Sequence, residues 1–309
     1  MNEFELINRY FNWPLSDPSI ELGVGDDAAL FEIDADCQLV TSTDTLSEGV
    51  HFFKDALPGD IAYKSLAVNL SDIAAMGAKA KYFTLSLTLP KLDEIWLKEF
   101  SESLKEASEF FKVSLIGGDT TKGPLNITIT IMGVVKKSKA IKRSGAKNGD
   151  DIYVSGDIGD AALCLKKINE GIKPNSSELN KLNQPVPRVK LGPSLINIAS
   201  SCIDVSDGLE QDLTHILRAS KVGAIIDSQS LPLSDSVKDY LKTSQDLGLP
   251  LCGGDDYELC FTSDQSHQME IKKLSESLNI RITKIGVINN SQTLEITGYE
   301  GSSKSYQHF

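Results

Sequence analysis

The sequence has 309 residues, of which 40% are hydrophobic and 24% are charged. These proportions predict a globular protein with a proper core, built as one large domain or two of ordinary size. The formal net charge of −12 opposes binding to nucleic acid and to anionic membranes, so we expect neither as a partner. An anionic substrate would therefore need local cations, supplied by metal ions or by a basic loop.

Cysteine usage and the N-terminus both predict a cytoplasmic protein. The five cysteines are an odd number and form no C-x-x-C pair, which argues against a disulfide framework and against a zinc site. The N-terminal segment is polar and acidic and has no apolar signal core. No run approaches the roughly 18 apolar residues that a membrane helix needs.

Strand and helix patterns alternate along the whole chain. Residues 61–76 read as a nearly all-apolar helix, and Asp93–Phe111 as an amphipathic one. The basic segment 136–150 is the predicted domain boundary, which divides the chain into residues 1–137 and 138–309. Residues 171–187 are predicted to be a polar loop. Further helices are predicted at 3–11, after 160 and at 209–220, and strands at 38–42, 82–89, 113–116, 126–135, 151–155, 201–205, 223–227, 257–262 and 280–287.

The stretch Val113–Thr121, V-S-L-I-G-G-D-T-T, is predicted to be a short buried strand that leads into a tight turn. Two glycines at a strand exit let the backbone turn and approach a ligand closely. Asp119 would then point its carboxylate into the same opening. This combination suits a phosphate whose charge is shared with a divalent cation.

Small or polar residues lie beside aspartate at five more junctions. Carboxylates that gather without partners repel one another, so such a cluster predicts a bound cation. Asn69 and Asp72 fall on one stripe of the apolar helix, which indicates that this polar patch is buried rather than solvated. The five junctions are Gly23–Asp27, Ser42–Thr45, Asn69–Asp72, Asp204–Gly208 and Gly253–Asp256.

Missing motifs narrow the chemistry. The sequence has no P-loop, no G-x-G-x-x-G after a strand, no protein-kinase signature and no G-x-S-x-G elbow. Phosphoryl transfer by this chain would therefore depend on carboxylates and metal ions. These groups are sufficient in principle, because the transition state of phosphoryl transfer needs alignment and charge neutralisation more than covalent help. Arg143 is the basic residue we expect to reach a phosphate. His51, between aromatic neighbours, is either packed or a ligand contact.

With these residues assembled, the chain resembles the thiamine-monophosphate kinase family of the aminoimidazole ribonucleotide synthetase-like superfamily. The motifs that carry the resemblance run nearly end to end: E-L-G-V-G-D-D-A-A, T-S-T-D-T-L-S-E-G-V-H-F, Y-K-S-L-A-V-N-L-S-D-I-A-A-M-G-A, L-I-G-G-D-T-T-K-G-P-L, R-S-G-A-K-N-G-D, D-V-S-D-G-L, G-G-D-D-Y-E-L-C-F and Y-Q-H-F. The resemblance implies a mixed α+β fold of two domains. An N-terminal sheet would bind ATP and magnesium and pair with a second subunit, and the C-terminal domain would be of α/β type.

The resemblance also implies the reaction and the site. ATP would phosphorylate thiamine monophosphate to thiamine diphosphate, the final step of that cofactor's synthesis, in a homodimer. Transfer would be direct and magnesium-assisted, with no covalent nucleophile. The implied magnesium ligands are Asp27, Ser42, Thr43, Asp44, Asp72, Asp119, Asp204 and Asp207. The implied ATP contacts are Gly118, Asp119, Arg143 and Ser206, and the implied substrate contacts are His51, Asp255 and Ser303.

Two departures and three alternatives accompany this interpretation. The family usually has Glu where this chain has Asp255, and often an aromatic residue where it has Ser303, so Tyr306 is a candidate to cover the substrate ring. A selenophosphate synthetase should carry a reactive Cys or selenocysteine in a glycine-rich N-terminal stretch, a setting that Cys37 lacks. A hydrogenase-maturation member should end in cysteine, whereas this sequence ends in His308 and Phe309. A non-enzymatic module that binds calcium or nucleotide would bind metal without turnover, although no EF-hand spacing is present.

Overall fold

The computed structural model describes residues 2–15, 17–25 and 28–299. The chain forms two compact units, Met1–Ile73 with Ala78–Ser138, and Ala74–Gly77 with Lys139–Phe309. Within the described residues, no helix is both long enough and apolar enough to cross a membrane.

The first unit combines three helices with two sheets. Its elements in chain order are α1 (Glu3–Tyr10), β1 (Ile20–Leu22), β2 (Leu30–Phe31), β3 (Cys37–Ser47), α2 (Pro58–Ala75), β4 (Lys79–Leu89), α3 (Glu94–Phe111), β5 (Ser114–Lys122) and β6 (Asn126–Lys136). The main sheet has the order β3-β6-β4-β5, so β3 and β5 are its edges among the described residues. Only the β4–β5 pair is parallel.

The two faces of this sheet differ in polarity. Ile127, Ile129 and Ile131 of β6 alternate with polar neighbours and are fully buried on the face that α2 covers. The opposite face carries hydroxyl pairs instead. Thr43 bonds Thr130, and the next pair along the same two strands repeats this contact, each at 2.8 Å between hydroxyl oxygens and both exposed.

The second unit is a six-stranded sheet with helices on both faces. Its elements are β7 (Asp151–Ser155), α4 (Asp160–Asn169), α5 (Ser176–Asn183), α6 (Leu191–Ser194), β8 (Ala199–Val205), α7 (Leu209–Ser220), β9 (Gly223–Asp227), α8 (Asp235–Ser244), α9 (Gly248–Cys252), β10 (Glu258–Ser263), α10 (Gln268–Leu278), β11 (Ile282–Asn289) and β12 (Leu294–Thr297). The strand order is β12-β9-β11-β7-β10-β8, with only β12–β9 parallel.

Alternate residues of the central strands pack into two separate hydrophobic cores, one on each face of the sheet. Ile152 and Val154 of β7 join one apolar cluster, whereas Tyr153 between them joins a second cluster and stacks on Phe261 at 5.3 Å between ring centroids. A strand buried on both faces loses the polar alternation of a half-exposed strand. This explains why residues 151–155 read as a strand from apolar content.

Three predictions about local structure were wrong. The residues Gly117–Asp119 do not form a turn after a short strand, because pairing to β4 resumes at Gly117 after an irregularity at Ile116 and continues through Lys122. Asp44 does not end a strand but lies inside β3. Residues 171–187 are not all loop, since α5 forms there behind a capping box in which Asn175 and Glu178 each bond the other's backbone N–H.

Candidate functional site

One acidic cluster forms where β3 faces α2. The Ser42 hydroxyl donates to Oδ2 of Asp72 at 2.5 Å, and the Asp44 N–H donates to Oδ1 of Asn69 at 3.2 Å. Asn69 is fully buried, and its side-chain amide donates a hydrogen bond to the Ser65 carbonyl at 3.0 Å, which orients the side chain. The β3 pleat and the α2 stripe together bring Ser42, Asp44 and Asp72 to one point, and these are three of the residues that the resemblance groups as magnesium ligands.

Two carboxyl groups meet in this cluster. Burial, the neighbouring Asp72 charge and a hydrogen bond between the two side chains together raise the pKa of Asp44 to about 7, and burial contributes most. Two such groups are stable together only if they share a proton or bind a cation. The oxygen-only donor set of Asp44, Asp72 and Ser42 fits a hard cation such as magnesium.

Thr43 points its hydroxyl away from this cluster. Successive side chains of a strand leave opposite faces, and the Thr43 hydroxyl bonds Thr130 on the exposed face of the sheet. The structure therefore separates the Thr43 side chain from Ser42 and Asp44. Its place among the predicted magnesium ligands stays a prediction that the side-chain geometry does not support.

A cavity of about 530 Å³ lies along β5 in the same unit. Its walls come from the glycine turn Gly23–Gly25, from Ile7 and Phe11 of the N-terminal segment, and from Gly118 and Asp119 of β5. A Cβ on Gly118 would lie 1.9 Å from the Leu85 carbonyl oxygen, and its φ is +156°. Only glycine lets the two backbones approach so closely here. Asp27 follows the glycine turn but lies outside the described residues.

Asp119 and Asp44 occupy opposite edges of the sheet. The register aligns Asp44 with Ile129, Leu85 and Gly118, so three strand spacings separate β3 from β5. At about 4.8 Å per spacing, the two aspartates are roughly 14 Å apart along the sheet. One metal ion cannot contact both carboxylates of a single protomer across that distance.

His51 follows β3 and its ring turns back onto the chain. The Ser47 N–H donates to Nδ1 of His51 at 3.0 Å, and the Ser47 hydroxyl accepts from the Asn126 amide at 2.8 Å. Because a backbone N–H can only donate, Nδ1 is the acceptor and the neutral ring carries its proton on Nε2. His51 is thus an oriented donor rather than a loose loop residue.

The second unit presents the D-V-S-D-G turn after β8. Asp204 is 5% exposed and pairs with Leu259 on β10, which fixes its backbone. Ser206 and Asp207 follow at the turn itself, where both N–H groups donate to Oδ2 of Asp212, at 3.0 and 3.1 Å. Burial raises the pKa of Asp212 to about 7, although these hydrogen bonds and the Arg143 charge oppose the shift.

The G-G-D-D-Y segment packs its backbone against this turn. The Asp255 N–H donates to the Ser206 carbonyl and the Tyr257 N–H to the Val205 carbonyl, both at 2.8 Å. Asp255 has φ +69°, a left-handed conformation that Asp tolerates better than most residues. The Tyr257 hydroxyl donates to Oδ1 of Asp255 at 3.0 Å and holds that carboxylate.

A buried ion pair supports the start of β10 behind this segment. Arg188 donates through two nitrogens to both carboxylate oxygens of Glu258, and the Ser155 hydroxyl donates to Oε2 at 2.5 Å. The Arg188 and Glu258 side chains are 16% and 6% exposed. Burial raises the pKa of Glu258, while Arg188 lowers it.

Arg143 lies in an exposed loop organised by one hydroxyl. Ser220 Oγ accepts the N–H groups of Gly145 and Ala146 at 3.1 and 3.2 Å, and donates to the Arg143 carbonyl at 3.3 Å. Burial lowers the pKa of His215, and the nearby Arg143 charge lowers it further. The guanidinium of Arg143 is therefore close to α7, which begins directly after Ser206–Gly208.

Sequence reasoning missed Gln211, Asp212 and Tyr257 as parts of the site. Gln211 donates to Oδ2 of Asp207 at 3.1 Å. The spacing D-G-L-E-Q-D, which puts an acid in the first turns of a helix behind a turn, was the available indication for Asp212. Ser303 and Tyr306 lie outside the described residues.

Comparisons with known proteins match the chain nearly end to end. The models for AIR synthase related protein, N-terminal domain and C-terminal domain, match residues 25–135 and 147–298. The thiamine-monophosphate kinase of Buchnera aphidicola subsp. Schizaphis graminum (strain Sg) is 45% identical over 94% of this chain and 92% of its own length.

Two solved structures are similar in fold and sequence. The crystal structure of thiamine-monophosphate kinase from Stenotrophomonas maltophilia K279a has a TM-score of 0.87 at 41% identity, covering 96% of this chain and 95% of that one. The structure of AaThiL complexed with AMPPCP and TMP has a TM-score of 0.81 at 28% identity, covering 99% and 96%. The predicted mixed two-domain fold is confirmed, whereas pairing of its sheet with a second subunit stays a prediction.

Proposed function

The chain belongs to the thiamine-monophosphate kinase family, and we propose that it transfers the γ-phosphate of ATP to thiamine monophosphate, which gives thiamine diphosphate. The observation that carries this proposal is identity of 43–46% to several such kinases over at least 92% of the chain. We place the activity in the cytoplasm, because no disulfide joins the five cysteines, all of which lie in the described residues.

We propose that Ser42, Asp44 and Asp72 hold magnesium. The raised pKa of Asp44 beside Asp72 supports this proposal, since a bound cation would relieve the cost of two buried carboxylates in contact. Magnesium would screen the phosphate charges and align the two reacting groups. The remaining magnesium ligands that we propose are Asp27, Asp119, Asp204 and Asp207. Thr43 stays a proposed ligand only because it belongs to the T-S-T-D-T motif.

The cavity along β5 is the site we propose for ATP in the first unit. Gly118 and Asp119 line this cavity, and Asp119 would add a carboxylate for the metal that accompanies the phosphates. Arg143 and Ser206 of the second unit are proposed as further phosphate contacts. A guanidinium suits that role because it is always charged and donates through several N–H groups.

We propose a homodimer built on the first unit. Asp44 and Asp119 lie on opposite edge strands, so one metal could contact both kinds of carboxylate only if the β3 edge of one protomer lies near the β5 edge of another. Edge strands present unpaired main-chain groups that a second chain can complete. The exposed threonine pairs of β3 and β6 offer a self-complementary surface beside them.

Transfer is proposed to be direct, with no phosphorylated enzyme. Nδ1 of His51 already accepts the Ser47 N–H, so that nitrogen is not available for attack on phosphorus. Aspartates that bind a cation are poor nucleophiles. Thiamine monophosphate supplies its own ionised oxygen near neutral pH, because a phosphate monoester loses its second proton at about pH 6. His51, Asp255 and Ser303 would contact this substrate.

An acceptor assay tests the proposed reaction. The protein is incubated with ATP and magnesium and with thiamine monophosphate, thiamine or formylglycinamidine ribonucleotide in turn, and ADP is measured. We expect ADP only with thiamine monophosphate. Equal rates with thiamine would indicate a hydroxyl kinase, and release with the ribonucleotide would indicate a synthetase.

A stereochemical assay tests the direct path. The protein with γ-labelled ATP and no acceptor should carry no label after quenching, and a chiral γ-phosphate should emerge inverted. Retained configuration or a chemically competent labelled protein would contradict direct transfer.

A further inference from the structure

The turn that carries Ser206 and Asp207 is held from beneath by one side chain of α7. Both N–H groups converge on a single oxygen, Oδ2 of Asp212, at 3.0 and 3.1 Å. Two successive amides that share one acceptor must point in nearly the same direction. The position of this oxygen therefore sets the path of the backbone between Ser206 and Asp207.

Asp212 is placed for this role rather than for contact with a ligand. The residue is 3% exposed, in the first turns of α7, and packs beneath the turn. Asp207 is oriented separately, because Gln211 of the same helix donates to its Oδ2 at 3.1 Å. One helical turn thus fixes the backbone through Asp212 and one side chain through Gln211.

Backbone contacts hold the opposite side of the turn. The Asp255 N–H bonds the Ser206 carbonyl at 2.8 Å, and a Cβ on Gly254 would lie 2.0 Å from that same carbonyl oxygen. These contacts fix the carbonyl of Ser206, whereas the N–H groups of Ser206 and Asp207 are held by the Asp212 carboxylate. Substitution of Asp212 is therefore expected to release the amides while the carbonyl stays held.

We propose that Asp212 is a positioning residue that aims Ser206 and Asp207 at the metal-bound nucleotide. The proposal rests on the proposed function, which makes these two residues the nucleotide and metal contacts of the second unit. Asp212 itself contacts neither ligand and acts through the two amides it accepts.

Three substitutions separate geometry from charge. Asp212→Ala removes the acceptor. Asp212→Asn keeps an oxygen that can accept both N–H groups but removes the charge. Asp212→Glu keeps the charge but displaces the oxygens by one methylene group. A positioning role predicts that Asn preserves function, whereas Ala and Glu both impair it.

Asp151→Asn is the matched control. Asp151 is another fully buried, hydrogen-bonded carboxylate of the second unit, and its register opposite Ser263 puts it at the far end of β10 from Glu258 and the turn. Its substitution should lower thermal stability without changing the turn.

The first measurement needs no ligand and no turnover. Amide hydrogen exchange of the intact protein reports on the Ser206 and Asp207 N–H groups directly. In Asp212→Ala and Asp212→Glu these two amides should exchange at least about tenfold faster, since each loses its acceptor. In Asp212→Asn and Asp151→Asn their rates should stay within about threefold of the parent.

The second measurement is binding of a non-hydrolysable ATP analogue with Mn²⁺, by calorimetry. We expect the Kd to rise about tenfold or more in the Ala and Glu variants and less than threefold in the Asn variant and the control. The KM for thiamine monophosphate should change less than the KM for ATP.

Two outcomes would overturn the positioning role of Asp212. Unchanged amide exchange in Asp212→Ala would show that other contacts hold the turn. Equal impairment in Asn and Ala shows that the charge of Asp212, and not its geometry, is needed. If the Ala variant does not fold, the Glu and Asn pair decides the question alone. Failure of the parent to bind the analogue would contradict the proposed function, while the exchange data would still test the turn.

Discussion

Asp44 and Asp119 lie on the two edge strands of one four-stranded sheet, with β6 and β4 between them. Asp44 meets Asp72 beneath β3, and Asp119 borders the cavity along β5. The carboxylates that the sequence motifs group together are therefore divided within a protomer into two sets, roughly 14 Å apart. A complete metal site of the proposed kind would join sets from two chains.

Subunit complementation tests this division. Asp44→Asn and Asp119→Asn should each abolish turnover while the fold is kept. After the two inactive proteins are mixed, unfolded and refolded together, we expect up to about one quarter of parental activity. Half of the randomly assembled dimers would contain one chain of each variant. In each of these dimers, one of the two sites would combine an intact Asp44 with an intact Asp119 from the other chain, so one quarter of all sites would be complete.

The control for complementation is the double variant Asp44→Asn/Asp119→Asn mixed with parent protein. The mixed dimers then have no site with both aspartates intact, and activity should come from parental dimers alone. No recovery in the first mixture, with dimers verified by ultracentrifugation, would show that each site belongs to a single chain.

The Asp44–Asp72 pair predicts how metal-free stability changes with pH. The folded-state pKa of Asp44, about 7, lies above its ordinary value of 3.8, so the folded protein holds a proton that the unfolded chain has released. The free energy of unfolding should therefore fall as pH rises from about 4 to about 7. Asp44→Asn should remove this decrease in the free energy of unfolding. The substitution should therefore stabilise the protein more at pH 8 than at pH 5, by on the order of 2 kcal/mol.

Urea unfolding in a chelator at both pH values measures this difference. Asp239→Asn is the control, because Lys242 lowers the pKa of that exposed carboxyl and keeps it ionised at both pH values. Added magnesium should stabilise the parent more than Asp44→Asn. Equal pH dependence in parent and variant would show that the two carboxyl groups do not share a proton.

Neighbouring glycines of β5 offer a matched pair of substitutions. Gly118→Ala should destabilise the protein by about 2 kcal/mol or more and weaken ATP binding, because its Cβ would overlap the Leu85 carbonyl, 1.9 Å away. Gly117→Ala should cost less than about 1 kcal/mol, since its Cβ would meet only the Thr84 methyl, at 3.9 Å. Thermal unfolding and ATP-analogue titration measure both effects, and equal losses would contradict the close-approach argument.

Arg188 and Glu258 form a buried pair whose disruption should be severe. Arg188→Met leaves the Glu258 carboxylate buried without its cation, and we expect a loss of about 3–5 kcal/mol in urea unfolding. The control is Arg9→Met, which breaks the exposed pair with Glu94 and should cost less than about 1 kcal/mol. A small loss in Arg188→Met would show that Glu258 is protonated or solvated after the substitution.

The family resemblance grouped Ser42, Asp44 and Asp72, and local periodicity determined the face of its own element on which each of them lies. The two-residue period of β3 and the helical stripe of α2 each put their polar residues on one face. Apolar runs likewise predicted the central strands of the second unit. The family followed from the motifs along the whole chain and was confirmed by the comparisons.

Long-range pairing decided what the local patterns could not. Gly117 and Gly118 read as a turn, yet β5 continues through them because β4 supplies a parallel partner for each residue from Gly117 to Lys122. The separation of Asp44 from Asp119 depends on the strand order β3-β6-β4-β5, which no single segment encodes. The role of Asp212 likewise appears only when α7 folds back under the turn that precedes it. Sequence period determines the face on which a side chain lies, whereas strand order and helix docking determine the groups it meets there.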